Sequence, residues 1–269
     1  MRGVIICCPD YDANSGGALV LHKLADLLES VTTVIKVRLV PARTDGSHGW
    51  TLAPCGVDDN LIRLCSSGTV KVIYPESVSG NPLRAKHVIR WLLSTPNLIC
   101  DTQIDFENEK IYAYISAFGP KYPLLRITSE LELPAIPSKK TVNVAYLVKK
   151  APRYNIEIPK ICEQWVNIDG LDLADQLTIL SNTKYFISFD PHTMLSTFAS
   201  LVGCRSVVPT VPGKTQRDLY SSDEIAFIYG EFKNQSFSGL KSRAEKFMAN
   251  QQKITIADFR NFCACELGI

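Results

Sequence analysis

The chain opens on an unbroken apolar run, Val4-Ile-Ile-Cys-Cys, and then places Leu21, Leu24 and Leu28 at helical spacing. A continuous run followed by a 3.6-residue period predicts a buried strand feeding an amphipathic helix, here Gly17 to Ser30. The same reading predicts a strand Val34 to Leu39, a polar loop Pro41 to Pro54, a helix Val57 to Ser66, a strand Val70 to Tyr74 and a helix Pro82 to Leu93. Strands Ile111 to Ile115 and Leu124 to Thr128 follow. Strands alternating with helices imply a parallel sheet covered by helices. Leu133-Pro-Ala-Ile-Pro-Ser-Lys-Lys, with its two prolines between apolar strands, reads as a linker. A second alternating set begins at Val142-Asn-Val-Ala-Tyr-Leu-Val and runs to Ile225-Ala-Phe-Ile-Tyr, and helices Phe237 to Asn250 and Ile256 to Cys265 close the chain. At 269 residues there is room for two Rossmann-like α/β domains.

The densest signal lies between Asn182 and Pro209. A strand Tyr185 to Phe189 runs into Asp190-Pro-His-Thr193, then a helix Thr193 to Val202, then a strand Arg205 to Pro209. Asp190 and Thr193 are cap-type residues and Pro191 suits a first helical turn. Ser196, Thr197, Ala199, Ser200 and Gly203 are small enough for close approach to a sheet or ligand. Free N–H groups at such a helix start favour a phosphate.

This unit resembles the donor-nucleotide half of GT-B fold glycosyltransferases, in a bacterial and viral subset. The likeness is carried by Ser188-Phe-Asp190 through Gly203-Cys-Arg-Ser-Val-Val-Pro209 and by the stretch Ile168 to Ser181 before it. Two further pieces support it: Val4 to Leu28 with its Gly16-Gly17 pair, and Tyr74-Pro-Glu-Ser-Val-Ser-Gly-Asn-Pro-Leu-Arg-Ala85. The resemblance implies two domains facing a cleft, with residues 1–133 on the acceptor side, 141–255 on the nucleotide-sugar side and 256–269 crossing back to the first. It implies transfer of a sugar from a nucleotide-sugar to a saccharide, glycan or lipid-linked acceptor, as in polysaccharide biosynthesis. Alternatives are a nucleotide-sugar epimerase, a phosphorylase-like enzyme, and a binding or scaffold subunit of the same fold without catalysis.

A diphosphate leaving group needs positive charge where the strands end. Lys149 and Lys150 follow the first strand of the second set, where the resembling family places its phosphate-binding base; a solvated loop is the plain alternative. Asp190, His192, Thr193, Ser196 and Thr197 are expected around phosphate and ribose. Many retaining members carry two glutamates seven residues apart here, whereas this chain has Asp190 and Thr197. On the acceptor side, Gly16, Gly17 and Asn81 are expected on cleft loops, and Glu76 and Asp12 are the candidates for taking the acceptor proton. Asp10 to Asn14 could instead build a turn, and Glu76 could order its loop. His22 and His87 fall inside predicted helices and read as structural. Asp10-Tyr-Asp12 fits the metal signature of the other glycosyltransferase fold but lies too early in the chain, so no metal ligands and no obligatory cofactor are expected.

Bulk properties narrow the remaining classes. With 46% hydrophobic and 21% charged residues the chain is of ordinary globular composition. Its short apolar opening reads as a strand rather than a leader, so an integral membrane segment is not expected and a cytoplasmic location is. Nine cysteines, an odd number scattered through predicted elements, argue for buried reduced thiols. The net charge of +2, with basic groups short and separated, argues against nucleic acid. Ser15-Gly-Gly-Ala lacks the dinucleotide spacing.

Overall fold

Gly3–Cys8 forms a strand, β1, buried at every residue, as a strand covered on both faces requires. Val4, Ile6 and Cys8 point to one face and pack with Leu21, Leu24 and Leu28 of the first helix, α1 (Gly16–Glu29). Ile5 and Cys7 point to the other and pack with Val72, Tyr74 and Leu83. The remaining elements of this part are β2 (Val34–Pro41), β3 (Trp50–Leu52), α2 (Asp59–Ser66), β4 (Val70–Pro75), β5 (Val88–Leu92) and β6 (Lys110–Ala113). The six-stranded sheet has the order β3-β2-β1-β4-β5-β6 and is parallel except for β3. This computed structural model describes residues 3–42, 49–54, 56–98, 100–128, 132–220, 225–231 and 236–269. Residues 43–48 of the expected polar loop lie outside the described residues.

The helix expected over Pro82 to Leu93 is absent; a loop occupies residues 81–87 and β5 follows. Within β5, Ile89 and Trp91 enter the α1 face, and Arg90 points the opposite way, fully buried. Its guanidinium forms a bidentate pair with Glu109 at 2.7 and 2.8 Å and donates to the carbonyls of Val78 and Gly80 at 2.6 and 2.7 Å. The partners lie 10 to 19 residues away in sequence, so only the assembled sheet satisfies this charge. His87 accordingly lies in the loop rather than in a helix. Leu124 to Thr128 is not a strand of the sheet, although Leu124 bridges Ala113, and the expected loop from Pro41 to Pro54 contains β3.

The second sheet comprises β7 (Val142–Leu147), β8 (Val166–Asn167), β9 (Thr183–Ser188), β10 (Arg205–Val208) and β11 (Ile228–Tyr229), with α3 (Leu173–Ser181), α4 (Leu195–Leu201) and α5 (Gln216–Leu219) between them. Its order is β11-β10-β9-β7-β8, all parallel. Ala145, Leu147, Leu177, Leu180, Phe186 and Ala199 form its core. Lys140 donates to Ser181 O and Val202 O, both at 2.8 Å, and so ties the last turns of α3 and α4 together.

The two helices expected at the end of the chain are one, α6 (Leu240–Phe262), 23 residues long and followed by a wide π turn over Cys263–Leu267. Gln251-Gln-Lys-Ile-Thr255 contains neither Gly nor Pro, so nothing there stops a helix. The start is later than Phe237 because Gly239 has φ +77°. The chain divides into two compact units, Met1–Ser129 with Lys253–Ile269, and Glu130–Gln252. In the first, Asp258 accepts from Arg126 Nε at 2.8 Å, and Glu266 receives Lys71 Nζ at 2.5 Å and Tyr112 Oη at 2.7 Å. Each unit is Rossmann-like, so the fold class is α/β with two such domains.

Candidate functional site

In an open parallel sheet, ligands bind beyond the carboxyl ends of the strands, where successive connections leave in opposite directions. In the second unit that place is between β7 and β9, because the chain goes from β7 to β8 on one side and then to β9 on the other. The residues leaving β7 are Val148, Lys149 and Lys150; those leaving β9 are Phe189 to Thr193.

The β7 exit is fixed by one carboxylate. Asp169, after β8, accepts Val148 N at 2.7 Å and Lys149 N at 3.0 Å. Lys149 has φ +35°, a conformation that disfavours L side chains, and the two charge-assisted bonds offset that strain. Lys149 projects into solvent, and Lys150 is partly buried beside Asp190, Nζ to Oδ2 3.9 Å.

Asp190 is buried and does not cap α4. Its Oδ1 accepts His192 N at 3.1 Å, closing a local turn, and its backbone is held by Ser188 Oγ. The helix starts later, at Leu195, and Thr193 Oγ1 accepts Leu195 N at 3.2 Å. The His192 ring lies between Tyr154 and Tyr220, with centroids 5.9 and 5.7 Å away. Tyr220 Oη donates to Pro191 O and pins the turn from the far side. Burial, and secondarily the Lys150 ammonium, push the His192 pKa down to about 4, so the ring is neutral at pH 7. The cluster thus offers two lysines of differing exposure, a buried carboxylate and a neutral imidazole, a set that can take up an anionic group at the strand ends.

Ser196 and Thr197 are not part of that surface. Both are buried, at 0% and 3% exposure, and Ser196 Oγ has no hydrogen-bond partner among the described residues. Six of the seven residues of α4 are buried, and it is Leu195 and Ala199 that join the core of the sheet.

In the first unit the corresponding switch falls between β1 and β4. Asp12, on the loop after β1, is exposed; its Oδ1 accepts Asn14 N at 2.8 Å, and the loop also holds an ion pair between Asp10 and Arg38 at 2.6 Å. Glu76, after β4, is 6% exposed, and its Oε2 accepts Leu93 N at 2.9 Å, joining the ends of β4 and β5. Gly16 and Gly17 are not loop residues but the first two of α1, capped by Ser15, whose Oγ accepts Ala18 N. A Cβ at Gly16 would meet no atom within 4 Å, so packing among the described residues does not require glycine there. Asn81, an exposed residue, accepts Ala85 N and donates to Ala85 O, and so braces its own loop.

Sequence reading did not find Asp169, Tyr154 or Tyr220. Asp169 lies 20 residues from the backbone it holds, and the tyrosines lie 38 and 28 residues from His192. The signal available for Asp169 was its position directly after the short Val166-Asn-Ile168 stretch.

No family model matches the chain, and no curated protein matches it. Among solved structures, the crystal structure of Acinetobacter baumannii MurG is similar over 97% of this chain and 95% of that one, at 12% identity and a TM-score of 0.34. Among the described residues no helix is long and apolar enough to cross a membrane.

Proposed function

We propose that the chain is a glycosyltransferase that moves a sugar from a nucleotide-sugar donor to a saccharide, glycan or lipid-linked acceptor, on the cytoplasmic side and within polysaccharide biosynthesis. One observation carries this reading: Lys149 and Lys150 leave β7, and Asp190 and His192 leave β9, at the switch point of a parallel sheet, where the two cations suit a diphosphate. Lys150 is held close to where charge would develop, and Lys149 supplies a second, solvated cation. No step in this account requires a metal, because the lysines answer the leaving-group charge.

In the reaction, an acceptor hydroxyl oxygen forms a bond to the anomeric carbon while the bond from that carbon to the diphosphate oxygen breaks. The electron pair leaves with the diphosphate, and the hydroxyl proton passes to a carboxylate. Asp12 fits this role better than Glu76, because Asp12 is exposed whereas Glu76 is buried against Leu93 N. A second reading, a nucleotide-binding or scaffold subunit without transferase activity, is favoured by a specific observation: Asp190, Ser196 and Thr197 are all buried, so none of these three offers ribose an exposed carboxylate or hydroxyl.

The test is a thermal-shift panel of UDP, GDP, ADP, CMP and their sugar conjugates on the wild type, Lys149→Ala and Lys150→Ala. Stabilisation by one base that weakens in the lysine variants supports the donor site, and release of free nucleoside diphosphate from the conjugate separates the enzyme from the scaffold. A panel with no shift for any nucleotide sinks the donor site and the transferase reading and leaves the scaffold subunit.

A further inference from the structure

Tyr11 is 65% exposed and stands on the loop leaving β1, at the switch point of the first sheet. The backbone around it is braced on both sides. His22 Nε2 hydrogen-bonds Pro9 O at 2.9 Å and Arg38 Nη2 donates to Asp10 Oδ2 at 2.6 Å. On the other side Ser15 N donates to Asp12 O at 3.1 Å, and Asp12 Oδ1 accepts Asn14 N at 2.8 Å. The ring makes an edge contact with His22, centroids 5.6 Å apart and planes at 77°. An edge contact with most of the ring in water leaves aromatic surface open. Phe106, at 43% exposure, differs in this respect, since Tyr122 stacks on its face at 6.2 Å and 13°.

Isolated exposed apolar side chains are common and mean little by themselves. Tyr11 is distinguished by its position, because ligands of open α/β sheets sit at this switch point, and by its fixed mounting, which lowers the entropy lost on contact. A pyranose ring has an apolar C–H face for an aromatic ring and peripheral hydroxyls for a carboxylate. Asp12, one residue on and exposed, supplies the carboxylate.

We propose that Tyr11 is the stacking platform for a pyranose ring, with Asp12 accepting from a hydroxyl of that ring. Calling that ring part of the acceptor rests on the glycosyltransferase reading; the contact with sugar does not.

The experiment is saturation-transfer difference NMR with the methyl glycosides of glucose, galactose and N-acetylglucosamine on the wild type, Tyr11→Ala and Tyr11→Phe. Transfer to the ring C–H protons of at least one glycoside is expected, reduced about five-fold or more in Tyr11→Ala and largely kept in Tyr11→Phe. Unchanged melting of Tyr11→Ala separates loss of contact from loss of fold. Absence of transfer to any glycoside in the wild type, or equal transfer in Tyr11→Ala, overturns the proposal. The nucleotide panel run on the same proteins keeps the two ideas apart: a nucleotide shift with Tyr11-independent sugar contact removes the platform alone. Tyr11-dependent sugar contact with no nucleotide shift removes the transferase reading alone.

Discussion

Arg90 and His192 are both enclosed by protein, and they meet the cost of burial in opposite ways. Arg90 keeps its charge, because Glu109 and the carbonyls of Val78 and Gly80 together answer its donors. Replacing Arg90 with Met leaves Glu109 buried without its partner and is expected to cost about 3–5 kcal/mol in denaturant unfolding. The double change Arg90→Met with Glu109→Met should recover a large part of that loss, and a double variant no more stable than the single one would show that the carbonyls rather than the pair dominate. His192 instead gives up its charge. Its folded pKa of about 4 lies below the ordinary value of about 6.5, so between these two pH values the unfolded chain binds a proton that the folded chain does not. Stability is therefore expected to fall as pH drops from about 6.5 to about 4, by roughly 2–3 kcal/mol from this residue, and to change no further from it below that window. His192→Gln should flatten that slope; urea midpoints at pH 7 and pH 4.5 on both proteins measure it.

At the level of elements, the α3 and α4 ends illustrate how one side chain can close two helices. Lys140 reaches Ser181 O and Val202 O, and Gly203 beside it has φ +76°, the left-handed position that ends α4. Lys140→Met is expected to destabilise by about 1–3 kcal/mol through two unanswered carbonyls. Gly203→Ala should cost about 1–2 kcal/mol from backbone conformation alone, because its Cβ would stand 3.7 Å from Lys140 Cε, an ordinary contact. If the two changes prove fully additive in unfolding experiments, the Lys140 side chain and the α4 end are not coupled as described. The same scale shows where local pattern misleads. Pro82 to Leu93 contains Leu83, Val88, Ile89 and Leu92, a set compatible with a helix, yet Val88–Leu92 pairs with β4 and β6. Arg90 has its partners only in that arrangement. Periodicity cannot report a hydrogen bond to Glu109, 19 residues away.

For the whole molecule, the C-terminal residues are structural to the first unit. Phe262 is 1% exposed within the same core as Val4, Ile6 and Trp91, and Glu266 and Asp258 anchor to Lys71, Tyr112 and Arg126. A chain ended at Gln252 is expected to expose this core, with increased dye binding and a loss of near-ultraviolet signal from Trp91, whose Nε1 donates to Leu125 O at 3.0 Å in the intact protein. A native-like near-ultraviolet spectrum from the truncated chain would contradict that dependence.

Sequence alone determined the alternation of strands and helices, the buried opening strand, the helices α1 and α2 and the strand-turn-helix-strand unit around Asp190. Apolar period, turn residues and caps are local properties, and they survive without knowledge of partners. It also placed Lys149, Lys150, Asp190 and His192 at strand ends, since the position after a strand is visible in the chain. What only the tertiary structure decided is which of those side chains are open to solvent and what fixes them. Ser196 and Thr197 turned inward, Glu76 and Asn81 became braces for backbone, and Asp169, Tyr154 and Tyr220 arrived at the site from distant segments. Burial and long-range hydrogen bonds depend on which strands become neighbours, and strand order is a property of the assembled sheet rather than of any stretch of residues.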